Sequence, residues 1–154
     1  MRTFSLVLVL VILFSCNDDL VFERFEVLED SWKEEQPITF QFEIEDISKN
    51  YDLEVGFRYG NQYSFYNLYV EYLLASKSDT LTHKLEEIIL FEPKTGKPMG
   101  SGLGDVFDIE KIVQRQFRFE QPGTYTLSLM QFMRREELTE IEHVGFRLSQ
   151  SSPE

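Results

Sequence analysis

From Ile38 the chain alternates apolar and polar residues with period two. Ile38, Phe40, Phe42 and Ile44 face one way, and Thr39, Gln41, Glu43 and Glu45 the other. Successive side chains of a strand point to opposite faces, so this run predicts a half-buried strand. After a turn-forming stretch at 46–50, Leu53, Val55, Phe57 and Tyr59 repeat the pattern. Gly60-Asn61 is a turn signal. Residues 65–74 are apolar on both faces, with Leu68, Val70, Tyr72 and Leu74 set against Tyr69 and Leu73. Such a strand belongs inside a sheet. Residues 76–79 turn the chain into 80–90, where Leu81, His83 and Leu85 share one side.

The next stretch, 91–104, carries Pro93, Gly96, Pro98, Gly100, Gly102 and Gly104. That density of breakers predicts a long loop, and long ordered loops in small domains tend to carry function. Residues 106–114 fit a short helix or an irregular strand equally. Phe117 and Phe119 flank Arg118 in a short strand, and Gln121-Pro122-Gly123 reads as a type II-like turn. Tyr125, Leu127 and Leu129 alternate again; the Tyr after Pro-Gly-Thr resembles the tyrosine of sandwich corners, whose hydroxyl ties a turn to the backbone. Charged residues 134–142 suit one helical turn, and Val144, Phe146 and Leu148 form a last strand. About eight strands, turn signals every 8–12 residues or so and little helix predict an all-β fold, an antiparallel β-sandwich of Ig-like or jelly-roll connectivity.

The N-terminus has a different pattern. Arg2 precedes an apolar run from Phe4 to Phe14, broken only by Ser5, and Leu13-Phe14-Ser15-Cys16 closes it. Crossing a membrane takes roughly 18 or more apolar residues, so the run is a secretory signal peptide rather than a span. Leu-x-Ser-Cys resembles the bacterial lipobox, in which the thiol becomes a thioether to diacylglycerol and cleavage leaves the cysteine first. Cys16 is the only cysteine of the chain and has no partner for a disulfide. The expected division is a signal peptide at 1–15, lipidated Cys16 and tether at 16–30, a β-sandwich at 31–150 and a tail at 151–154. The anchor implies a domain tethered to a bacterial membrane outside the cytoplasm, since two or more acyl chains hold stably where one does not.

Charge narrows the function further. The net charge is −12, and −13 once residues 1–15, with Arg2 and no acid, are removed. Such a surface excludes nucleic acid and electrostatic docking on anionic lipid. No catalytic motif is present. His83 falls on an apolar strand face, as core or edge histidines do, and His143 beside Glu142 is expected to be exposed. Gly100-x-Gly102-x-Gly104 mimics part of a dinucleotide fingerprint but lacks the flanking strand and helix. Asp105, Asp108 and Glu110 are the one acidic group with a conceivable use for calcium; their spacing is not that of an EF-hand, and loop acids are usually solvated. No metal and no cofactor are expected. The glycines point instead to positive φ or to a close approach by another chain. Leu103 is then an apolar side chain displayed beside Asp105. Gly100, Gly102, Leu103, Gly104 and Asp105 are thus a candidate partner contact, or equally a hairpin whose glycines serve its own turns.

Taken in order, these pieces resemble the GldH family of gliding motility lipoproteins. The resemblance runs from Leu13-Phe14-Ser15-Cys16 through Ser31-Trp32 and Pro37-Ile38-Thr39-Phe40-Gln41-Phe42-Glu43. It continues in Ser48-Lys49-Asn50-Tyr51-Asp52-Leu53 and Tyr66-Asn67-Leu68-Tyr69. Its most specific parts are Gly100-Ser101-Gly102-Leu103-Gly104-Asp105, Pro122-Gly123-Thr124-Tyr125-Thr126, and Met133-Arg134 with Leu138 and Val144-Gly145-Phe146-Arg147. The resemblance implies a membrane-anchored, non-enzymatic accessory of the gliding machinery, coupled to type IX secretion and held in the outer membrane. Its partners would be other envelope proteins of gliding and secretion. Asn17-Asp18-Asp19 is a solvated tether on this reading, and acidic pairs there also resemble surface-export signals of some gliding bacteria. The alternative is a module for an envelope carbohydrate or polymer, using Tyr59, Tyr63, Tyr66 and Tyr69 as stacking surfaces where strand packing is their commoner use.

Overall fold

The structure, a computed structural model, describes residues 19–152. Cys16 and the signal peptide expected at 1–15 lie outside the described residues. The strands in chain order are β1 (Leu20–Val27), β2 (Trp32–Lys33), β3 (Ile38–Ile44), β4 (Tyr51–Gly60), β5 (Asn67–Ser76), β6 (Thr80–Ile89), β7 (Ser101–Leu103), β8 (Val106–Phe117), β9 (Gly123–Gln131), β10 (Glu137–Leu138) and β11 (Ile141–Gln150). They form a five-stranded sheet in the order β1-β11-β4-β8-β7, a four-stranded sheet in the order β3-β9-β5-β6, and a small pair of β10 with β2. Every strand pairing is antiparallel. The two large sheets face each other as a sandwich.

The period-two pattern accounts for the core. In β3 the inward residues Ile38, Phe40, Phe42 and Ile44 are buried and the residues between them exposed. Leu53, Val55, Phe57 and Tyr59 of β4 and Val144, Phe146 and Leu148 of β11 face them from the other sheet and are buried too. Phe146 meets Phe42 at 5.3 Å and Phe40 at 6.0 Å between ring centroids, so aromatic rings of both sheets interdigitate at mid-sandwich. β5, apolar on both faces, runs between β9 and β6 as expected of an interior strand. Its Tyr72 hydroxyl donates across the sandwich to the Val113 carbonyl at 3.3 Å, and burial pushes that phenol up to about 12. The turn before β9 bears the expected corner: the Tyr125 hydroxyl donates to the Gln121 carbonyl at 2.6 Å.

Other expectations are corrected. The folded domain does not begin at residue 31. β1 adds Leu20–Val27 to the five-stranded sheet beside β11, so residues expected in a tether at 16–30 are part of the folded domain from Leu20 on. Phe22 tucks inward onto Phe42 and Phe146 at 5.8 and 5.7 Å, and Phe25 covers the outer face. Residues 106–114 belong to a long strand, and 134–142 form no helical turn. Glu137 and Leu138 of that segment pair with Lys33 and Trp32 instead. Phe117 closes β8, while Phe119 leaves the sheet to plug the end of the core against Tyr125 at 4.6 Å and Tyr51 at 5.4 Å. The loop at 91–104 is not wholly irregular, since its last residues are β7, and a bridge joins Phe91 to Pro98. Leu81 and Leu85 line an outer, exposed face of β6, not a core face.

The sandwich has two unlike ends. At one end lie the starts of β1, β4 and β9, the finish of β11 and the tight turns 45–50, 77–79 and 118–122. At the other lie residues 28–37, 61–66, 90–105 and 132–140, with the β2/β10 pair among them.

Candidate functional site

The glycine-rich segment builds a rigid finger at the long-loop end. Its base is held by a buried tyrosine. The Tyr59 hydroxyl donates to the Leu90 carbonyl at 2.7 Å and accepts from the Gly100 amide at 3.1 Å. Burial raises the pKa of that phenol, so it keeps the proton it donates. Phe91 packs edge-on against the same ring at 5.3 Å. The Met99 amide donates to the Leu90 carbonyl, and the Glu92 amide to the Lys97 carbonyl, both at 2.8 Å. These bonds bring the chain into β7, which pairs Ser101, Gly102 and Leu103 with Asp108, Phe107 and Val106.

Each glycine has its own cause. A Cβ on Gly100 would lie 2.3 Å from the Asp108 carbonyl oxygen, and one on Gly102 would lie 2.1 Å from that of Val106. Both positions demand a residue without a side chain because β8 backbone passes there. Gly104 has φ +71°, in the left-handed region that glycine adopts at least cost. Asp105 is tied down: its carbonyl accepts from the Asn61 amide at 2.8 Å and its carboxylate from the Asn61 side chain at 2.6 Å. The hairpin's own geometry therefore explains Gly100, Gly102, Gly104 and Asp105. Leu103 is different. It is 95 % exposed at the tip of a backbone fixed on both sides, and nothing in the domain uses its side chain.

The three acids offered for calcium are not gathered. Asp105 holds Asn61, Asp108 takes a two-pronged bond from Arg58 at 2.8 and 2.9 Å, and Glu110 accepts from Arg147 at 3.2 Å. Arg147 is the hub of the outer face of the five-stranded sheet, also reaching Glu23 at 2.5 Å and Glu54 at 3.2 Å. An open groove of about 590 Å³ beside it is lined by Asp52, Glu54 and Arg115 among others, and these charges too are matched within the domain. No group of His, Cys, Asp and Glu suited to a metal ion occurs among the described residues.

His83 stands half-exposed on edge strand β6, its Nε2 2.8 Å from Glu71. His143 is half-buried rather than exposed, beside Phe25 and Phe57. Nor do the four tyrosines make a stacking strip: Tyr59 and Tyr63 are core residues, and only Tyr66 is largely exposed. No described helix is long and apolar enough to cross a membrane.

Known proteins share this chain's sequence along nearly its whole length. A protein of Flavobacterium johnsoniae called gliding motility lipoprotein GldH is 28% identical over 157 residues, covering 94% of each chain. A gliding motility lipoprotein GldH homolog of Christiangramia forsetii is 26% identical over 155 residues, covering 96% of this chain and 94% of its own. No solved structure matches. The family model described as GldH lipoprotein matches residues 20–148, from the first residue of β1 almost to the end of β11. Since that match takes in both sheets and the whole glycine-rich finger, the chain belongs to the GldH lipoprotein family.

Proposed function

We propose that this protein is a lipid-anchored, non-enzymatic accessory of the gliding motility machinery, held in the outer membrane and working beside type IX secretion. The family match over residues 20–148 carries the reading. The domain's chemistry agrees with it. The charged groups of the outer face hold one another, with Arg147 shared among Glu23, Glu54 and Glu110. Leu103, the most exposed of the large apolar side chains among the described residues, has no internal use and suits protein contact. Acyl chains on Cys16 hold the domain to the membrane, and its partners are envelope proteins of gliding and secretion. The finger from Gly100 to Asp105 meets one of them.

The test is the anchor. Cys16→Ser removes the atom that carries the lipid. Wild-type protein is expected in the detergent phase on partitioning, and the variant in the aqueous phase. A deletion strain given the variant is expected not to spread on agar, while the wild-type copy restores spreading. A variant that stays with the membrane when produced alone overturns the lipoprotein assignment.

A further inference from the structure

The two ends of the sandwich are joined to the anchor unequally. β1 starts at Leu20, at the tight-turn end, and the Asp19 carbonyl is fixed there by the Gln150 amide at 2.7 Å. Four residue steps separate Cys16 from Leu20, a reach of at most about 14 Å. β8 runs the length of the domain from Phe117, at the tight-turn end, to Val106 at the finger. Twelve extended residues cover roughly 35–40 Å. The tether is therefore much shorter than the domain, and an anchored Cys16 keeps the tight-turn end close to the lipid.

Apolar exposure divides the two ends more than charge does. The loops 28–37, 61–66, 90–105 and 132–140 hold nine acidic and five basic residues, a balance of −4. The turns 45–50, 77–79 and 118–122 hold four acidic and three basic, a balance of −1, to which Asp18 and Asp19 add two acids. With those two the ends stand at −4 and −3, so the short tether and not charge sets the orientation. The long-loop end carries the most exposed large apolar side chains. Leu103 is 95 % exposed, Val27 66 %, Met99 55 %, Tyr66 48 % and Phe132 45 %. Near the anchor, Leu20, Val21, Ile47 and Leu81 are only 37–40 % exposed.

We infer that the domain stands on the membrane on its tight-turn end and holds its long-loop end outward, with Leu103 foremost, to a protein partner whose docking site is an apolar cleft rimmed by basic side chains. This rests on the anchoring proposed above and adds to it a direction and a partner chemistry. Exposed leucine on a fixed backbone suits a preformed apolar cleft, because little conformational freedom is lost on docking. The loops 28–37 and 132–140 at the same end hold seven acids against three bases, which suits a basic rim that steers encounter and fixes orientation.

Cys16 is the only cysteine and is consumed by acylation, so an introduced one labels uniquely. Lys77→Cys and Lys94→Cys remove the same charge from exposed turns at opposite ends. Each full-length acylated protein is labelled with a fluorescent maleimide and reconstituted into phosphatidylethanolamine–phosphatidylglycerol vesicles containing a headgroup nitroxide lipid. The label at 77 is expected to be quenched and the label at 94 to stay bright. Equal quenching, or stronger quenching at 94, overturns the orientation. Wild type that fails to enter the detergent phase overturns the anchoring, and the orientation with it. For the partner, the double reversal Glu34→Lys with Glu35→Lys at the outward end is compared with Glu45→Lys and Glu120→Lys at the anchored end. With melting temperatures unchanged, the first is expected to lose gliding and the second to keep it. Gliding retained in the first, or lost equally in both, overturns the basic-rimmed docking site.

Discussion

Arg147 shows how single residues balance in this domain. Its guanidinium serves Glu23, Glu54 and Glu110 at once, yet Glu54 remains uncomfortable. Burial, and then the neighbouring Glu110, push the Glu54 carboxyl above its ordinary value of 4.5 in spite of Arg147. A folded Glu54 therefore holds its proton more tightly than an unfolded one. Stability falls as pH rises from the ordinary value through the raised one, and the full cost is present above both. Glu54→Gln removes the partly buried charge and keeps an oxygen for Arg147. Its melting temperature is expected to exceed that of wild type at pH 7, with the difference closing as pH falls below 4.5. A variant less stable at pH 7 would show that attraction to Arg147 outweighs burial. None of this was legible in the sequence, where Glu23, Glu54, Glu110 and Arg147 stand far apart. The same holds for Gly56 and Gly145, which face each other across β4 and β11. A Cβ on Gly145 would lie 2.2 Å from the Phe25 ring, so that glycine exists to seat an aromatic from β1. The alternating pattern gives no sign of it.

At the scale of elements, local periodicity decided what was readable. β3, β4, β9 and β11 have one buried face and one less buried face, and their alternating apolar positions in sequence are buried positions in space. β1 was missed because it is an edge strand. Its residues are mostly exposed, Glu23, Arg24 and Glu26 interrupt its apolar residues, and its place comes from pairing with β11, more than a hundred residues on. β8 was ambiguous because adjacent apolar residues, Val106 with Phe107 and Ile112 with Val113, blur its alternation, and register shifts near Leu53 break its pairing. The charged run 134–142 has helix-forming residues, but Leu138 is drawn to Trp32 and buried there. Positive φ at Arg134 and Glu140 shapes the backbone into that approach. The readable strands give a direct comparison. Phe40 is fully buried and meets Phe146, so Phe40→Ala is expected to cost about 3–5 kcal/mol in a denaturant melt. Thr39 points outward and shares a 3.3 Å hydrogen bond with Ser128, so Thr39→Ala is expected to stay within about 0.5 kcal/mol. Equal costs would mean that β3 is packed on the wrong face.

For the whole molecule the question is which residues the fold can do without. The sequence marked the glycine-rich segment by its composition, and two explanations stood side by side. The structure divides them by position. Gly100 and Gly102 serve the close approach of β8, Gly104 serves the turn, and Asp105 serves the bond to Asn61. Leu103 serves none of these. Its neighbours fix its backbone, and its side chain stands in solvent at the end of the sandwich remote from β1's first residue. An isolated exposed leucine is ordinary on a protein surface. A leucine held out on a finger clamped by Tyr59 and Asn61 costs folding nothing to replace, and that makes it a clean probe. Leu103→Glu is expected to leave the melting temperature of the purified domain within a degree or so, since an exposed substitution away from caps and cores shifts stability by less than about 0.5 kcal/mol. The same substitution places a carboxylate where an apolar cleft would close over it, and burying an unpaired charge defeats docking. Cells carrying it are expected to hold normal amounts of anchored protein and yet fail to spread. Loss of the melting transition would show that Leu103 packs in a way its exposure denies. Normal spreading with normal stability would show that the finger is a connector and that the partner sits elsewhere.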